Sequence, residues 1–411
     1  MTLPARAGYH RPTLRPISIP VLVRALALAT AALAASGYTP PPLFRKDVNP
    51  QPSENCRTCH IDITDQWRTS PHARADRTAN LLFGRMYFYS LKATRGATLT
   101  KCGPCHETIS FVQNDFESPR LRDVNGEGVT CSFCHAIDAK GPADAVPPFE
   151  LDLAKYSGTI RQPVPTTAHK SGYSALYSSS EYCGGCHKYS NQYGVPISDT
   201  IGEWKKTKYA KQGVTCQSCH MPGHAGRNTA QGLVRERVAD HSFTHDPARN
   251  PRLKDAVTLR LLPARRGKDS LRVEAIVTNA GAGHSMPTGN DQKMLLVRVR
   301  VLTESGTIVW ENNPFDEWDV SIFGLYLADD LNRWPAETWD ARAIVADRRI
   351  PAGQSARVRY DIPLRETTGP FRVEAQVLFR KGRPATFSAY GLDEDVWGAE
   401  RVMAEAVARV P

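Results

Sequence analysis

The sequence predicts an α+β protein of two dissimilar parts: a mostly helical, loop-rich amino-terminal domain over 37–250 and an antiparallel β-sandwich with a closing helix over 251–411. Three observations carry this reading. All ten cysteines fall between Cys56 and Cys219, in a region of short helical pieces, glycine and proline. From Val257 onward apolar residues alternate with polar ones, the period of half-buried strands. The last segment, from Asp393, spaces Val396, Val402 and Ala406 as one face of a helix.

The first 36 residues stand apart from both domains. They hold Arg6, Arg11, Arg15 and Arg24, no acid, and the apolar run ALALATAALAA from Ala25, closing on small residues. This is the pattern of an export leader, with a run too short to span a bilayer comfortably. The mature protein is expected in the periplasm or outside the cell, without a membrane span. The formal charge of +10 loses those four arginines, leaving 48 basic against 42 acidic residues, or +6. No basic stripe with interleaved aromatics accompanies the excess, so nucleic acid is not an expected partner.

The cysteines form five pairs of one kind: CRTCH at Cys56 and Cys59, CGPCH at Cys102 and Cys105, CSFCH at Cys131 and Cys134, CGGCH at Cys183 and Cys186, CQSCH at Cys216 and Cys219. A lone Cys-x-x-Cys has several uses; a histidine after every second cysteine narrows them. Two thiols at this spacing add to the vinyl groups of one porphyrin, and the adjoining His60, His106, His135, His187 or His220 meets the iron. Zinc would draw four ligands from two pairs, and five pairs do not divide that way. A disulfide framework has no use for the five histidines. Five covalently attached haem c groups are therefore expected. Their ten propionates offset the basic excess, turning +6 into −4 with ferrous iron or +1 with ferric iron. Five macrocycles would also supply much of the core, which explains the modest secondary structure of this region.

Part of the haem region is duplicated. SENCRTCH at Ser53 matches SEYCGGCH at Ser180, and EGVTCSFCH at Glu127 matches QGVTCQSCH at Gln212. QWRTSPHA at Gln66 and EWKKTKYA at Glu203 share a skeleton of a Trp, a basic residue, a hydroxyl residue and a closing Ala at similar offsets, and Tyr209 stands where the first copy has His72. Beyond the haem region, VTLRLL from Val257, LRVEAIVTN from Leu271, MLLVRVRVL from Met294, ARVRYDI from Ala356 and FRVEAQVLF from Phe371 read as strands, with turn signals at ESG and PAG between runs.

The residues WRTSPHA, the GVTCxxCH pairs, CHMP at Cys219–Pro222, HSFTHD and GHSMPTG resemble the multihaem cytochromes related to hydroxylamine oxidoreductase and its tetrahaem electron acceptor. The resemblance covers most of 56–289, and the strand-rich part looks like the sandwich that some such cytochromes carry. It implies closely stacked haems, mostly with two axial histidines, moving electrons in the periplasm or at the cell surface. The oxidoreductase's crosslinked tyrosine is not recognisable here, and no catalytic residue is assigned.

Six histidines remain as distal ligands for five irons: His72, His169, His224, His241, His245 and His284. His72 matches a ligand position of the resemblance. His284 sits in a glycine-rich loop that lets a flat macrocycle approach, with Met286 as a rival. His241 and His245 share one short segment, and the resemblance favours His241. His169 precedes the fourth pair, and His224, four residues past His220, is too close to cross to the same iron. Tyr209 is expected to keep the turn rather than bind iron.

The expected function is electron transfer between redox proteins, such as donor and acceptor cytochromes or a membrane quinol oxidase. The alternatives are an oxidoreductase with one open haem acting on a small nitrogen or sulfur compound, and a subunit of a haem filament. The sequence does not indicate an oligomeric state.

Overall fold

The structure is a computed structural model and describes residues 51–115, 126–141, 148–243, 256–313, 319–364 and 369–411. The leader and His245 lie outside them. Among the described residues no helix is long and apolar enough to cross a membrane.

Residues 51–243 form short helices joined by irregular segments and two-stranded ribbons, the longest helix being Leu81–Ala93. This region has little apolar core of its own. Ile109, Val112, Phe133, Ala136, Ile137, Phe149 and Leu153 make one small buried cluster around Cys131–Ala136.

The five strands read from alternation are present as Val257–Leu261, Ser270–Asn279, Met294–Thr303, Ser355–Pro363 and Phe371–Arg380. One antiparallel sheet centres on Ser270–Asn279, which pairs with Ser355–Pro363 on one side and Val257–Leu261 on the other. A second centres on Met294–Thr303 and Phe371–Arg380, in register from Met294 opposite Arg380 to Thr303 opposite Phe371. Val273 and Val277 of the first sheet share one core with Val297, Val299, Val373 and Val377 of the second. Successive strand residues point to opposite faces, so the alternation buries one side of each sheet.

The closing helix is corrected. Only Glu394–Trp397 is helical, and Arg401–Val410 is a strand that lines the edge of the second sheet, Val410 opposite Phe371 and Arg401 opposite Phe379. Ala404, Ala406, Ala408 and Val410 turn inward while Glu405, Val407 and Arg409 are exposed, a period of two. Val402, placed on the helix face with Ala406, is exposed. Alanine, glutamate and methionine gave the segment its helical propensity, and a ten-residue backbone ladder overrides such weak preferences.

Two small clusters join the parts. Val195 and Ile197 pack with Leu325 and Leu327, and Leu82 packs with Trp339, Phe387 and Tyr390. Asn191 donates to the carbonyls of Thr338 and Ala341, at 2.9 Å each.

Candidate functional site

The two GVTC stretches show how sequence sets a Cys-x-x-Cys-His in place. Gly128 and Gly213 have φ of 68° and 70°, a left-handed conformation that glycine adopts without strain. A Cβ at Gly128 would lie 2.5 Å from the His72 carbonyl oxygen. The chain then extends through Thr130 or Thr215, each the N-cap of a helix that starts at the first cysteine. Within such a turn the cysteines at i and i+3 share a face. In CGGCH the constraint is spatial, since a Cβ on Gly185 would sit 2.1 Å from the Phe149 ring.

Four of the five motif histidines face a second imidazole. The ring centroids are 6.3 Å apart for His60 and His169, 6.2 Å for His72 and His187, 6.3 Å for His135 and His241, and 6.3 Å for His220 and His284. Two imidazole nitrogens on one metal ion, each about 2.0 Å from it, place the centroids roughly 6 Å apart. Each pair therefore has room for one iron on the line between the rings. The planes are inclined by 27°, 28° and 15° in three pairs and by 69° in His72 with His187.

Backbone carbonyls fix most of these rings. Nδ1 of His60 meets the Asn228 oxygen at 2.7 Å, that of His106 the Ala75 oxygen at 3.0 Å and that of His135 the Ser157 oxygen at 2.7 Å. Among the opposing rings, His169, His241 and His284 use the oxygens of Lys170, Ala239 and Ser285 at 3.2, 2.8 and 2.9 Å. A carbonyl accepts, so Nδ1 carries the proton and Nε2 keeps its lone pair for a metal. Burial pushes His72, His220 and His241 down to about 4, which also keeps them neutral.

The pairs line one continuous cavity of about 3220 Å³, together with all ten cysteines and every described histidine except His224. Single small-ligand pockets run to roughly 300–1,000 Å³, so this space suits several macrocycles. Burial raises the Cys102 and Cys134 thiols to about 12, against metal thiolates and compatible with thioether-forming thiols. Among the described residues no three His, Cys, Asp or Glu side chains converge as a bare metal site requires. The donor set fits five c-type haems, each on one cysteine pair and its following histidine.

Neighbouring pairs touch through their thiols. The Cys56 thiol lies close enough to that of Cys131 to shift its acidity, as do the thiols of Cys183 and Cys216 and of Cys186 and Cys105. The first and third sites are thus adjacent, as are the fourth and fifth and the second and fourth.

Four candidate ligands, His72, His169, His241 and His284, are brought opposite motif histidines. His224 is exposed on the Gly223–Arg227 strand, outside the cavity. Met286 is buried with the β core. His106 has the Phe83 ring stacked on it at 3.9 Å, and no second imidazole faces it among the described residues.

Tyr209 packs against the loop that carries His284, its hydroxyl 3.5 Å from the Ala280 oxygen. Two residues that the sequence reading passed over hold such loops. Gln66 accepts from the His241 backbone N–H at 2.9 Å, and Glu203 accepts from Ser285 N–H at 3.0 Å and from the Thr288 hydroxyl at 2.8 Å. Their signal was present: each precedes the tryptophan of its copy.

Residues 55–136 match the family model described as cytochrome c554 and c-prime. A penta-heme cytochrome c552 from Thermochromatium tepidum superposes with a TM-score of 0.70 over 88% of this chain and 99% of that one, at 22% identity. Motifs, family match and fold are together those of a multihaem c-type cytochrome. The C-terminal domain of wzt (10% identity, TM-score 0.19, 38% of this chain and 70% of that one) and a beta-glucosidase from Kluyveromyces marxianus (10%, 0.16, 38% and 14%) overlap too loosely to inform function. No curated protein sequence matches.

Proposed function

We propose that this protein is an exported pentahaem cytochrome that carries electrons between redox partners through haems held mostly by two histidines. The observation that carries the reading is the set of four imidazole pairs at one-iron spacing along one cavity. The chain holds five covalent haem c groups, and each supplies one-electron chemistry at its iron. The protein's part is to hold the irons six-coordinate and dry, so that electron gain and loss need little rearrangement. The proximity of the thiols supports a path from the first site through the third to the fourth, where the second and fifth join. The basic and then apolar pattern of the first 36 residues supports a location in the periplasm or outside the cell, with donor and acceptor cytochromes or a membrane quinol oxidase as partners. The same motifs support kinship with hydroxylamine oxidoreductase and its electron acceptor, including a β-sandwich domain after the haems.

A second reading has its own observation. His106 faces no imidazole among the described residues, and Asp76, Tyr87 and Glu107 are buried close to it. An open second haem would make the protein an oxidoreductase for a small nitrogen or sulfur compound. Intact mass of matured protein should show five haem additions, and oxidised samples should be dominated by low-spin iron in electron paramagnetic resonance. The carrier reading expects the reduced protein to bind little carbon monoxide. One carbon monoxide per chain, with turnover of nitrite or hydroxylamine, would replace it with the enzyme.

A further inference from the structure

The His72–His187 pair differs from the other three in two ways. Its planes are 69° apart, against 15–28° elsewhere. Among the described residues its distal ring also lacks the carbonyl that fixes the others: His169, His241 and His284 each lock Nδ1 to a backbone oxygen within two residues. What touches His72 is Phe243, edge-on at 4.3 Å and 76°. The same ring stands 6.1 Å from His241, at 84°. Phe243 thus bridges the distal imidazoles of the third and fourth sites. It does so from a left-handed backbone, φ 47°, which is strained for a bulky residue and persists only where its surroundings hold it.

We infer that Phe243 is a positioning residue that sets the plane of His72, and through it the electronic character of the fourth haem. This rests on the two-histidine reading of that site. An aromatic edge lodged against an imidazole that has no hydrogen bond among the described residues leaves one favourable rotation about χ2. Ligand planes near perpendicular make two of the iron d orbitals close in energy, and a low-spin ferric ion in that field gives a highly anisotropic resonance. Planes near parallel split those orbitals and give an ordinary rhombic signal.

The test is electron paramagnetic resonance of the fully oxidised, fully matured protein and of Phe243→Ala, Phe243→Leu and Phe243→Tyr. The wild type should show one highly anisotropic low-spin signal beside the rhombic ones. Phe243→Ala should lose that signal, with its intensity recovered as rhombic low-spin iron, and Phe243→Tyr should keep it. Phe243→Leu retains bulk without an aromatic edge and should also lose it, so misfolding of the alanine variant alone does not decide the matter. A signal unchanged in Phe243→Ala, or absent from a wild type with four low-spin haems, would overturn the positioning role. Loss of low-spin iron from the wild type altogether would instead sink the two-histidine reading.

Discussion

At the scale of single residues, Tyr209 and His72 show what a copied position keeps. His72 lies in the first copy yet faces His187 of the second, so its imidazole is turned toward the next haem motif along and not toward its own repeat. In the second copy no further haem follows. There Tyr209 and Trp204 meet Gly283, beside His284. Its hydroxyl reaches Ala280 only at the limit of hydrogen bonding, so Tyr209→Phe should cost well under about 1 kcal/mol and leave the haem spectrum unchanged. His284→Ala, by contrast, should convert one haem from low to high spin in optical and resonance spectra. The imidazoles that face the motif histidines were legible as residue types in loops. Their pairing across repeats was not, because it depends on how the two copies pack.

The element that repeats is a turn held without iron. Trp67 donates to the Val129 oxygen at 2.9 Å, and Trp204 to the Val214 oxygen at 3.0 Å. The amide of that valine returns to the carbonyl of His72 at 3.0 Å or of Tyr209 at 2.9 Å. Ser53 and Ser180 accept from the Cys131 and Cys216 amides at 3.3 and 3.0 Å, binding the two haem motifs of each copy together. Backbone and indole make this frame, which is why histidine could be lost from it. Trp204→Phe leaves the Val214 carbonyl without its donor, at a cost of about 1–3 kcal/mol where water is excluded. The matured variant should melt a few degrees lower with its spectrum intact, and an unchanged melting temperature would show the indole to be dispensable. Sequence legibility differs among elements for the same kind of reason. The strands Ser270–Asn279 and Phe371–Arg380 announce themselves because one face is β-branched and buried. The Arg401–Val410 strand did not, because its inward face is mostly alanine, equally at home in a helix, and only its pairing with Phe371–Arg380 decides.

Over the whole molecule, the two parts differ in where their cores come from. Among the described residues, one cluster of twenty buried apolar residues, including Leu271, Val299 and Val373, holds the two large sheets together. At about 1.5–3 kcal/mol for each large side chain, this burial is supplied by the polypeptide's own residues and needs no cofactor. The haem region has seven in its own cluster, wrapped around a cavity of about 3220 Å³ whose walls include polar groups and imidazoles. Those walls cannot collapse on one another while nine histidines and ten cysteines hold their spacing, and a region so poor in buried apolar area is unstable alone. Haem attachment therefore completes the fold as well as the function. Chain expressed without haem ligation should keep a cooperatively folded β part and lose order over about 51–243. Hydrogen exchange would show slow amides on Met294–Thr303 and Phe371–Arg380 and fast ones on Leu81–Ala93 and Cys131–Ala136. Equal protection of both parts in the haem-free chain would mean that the amino-terminal region carries a sufficient core without its cofactors.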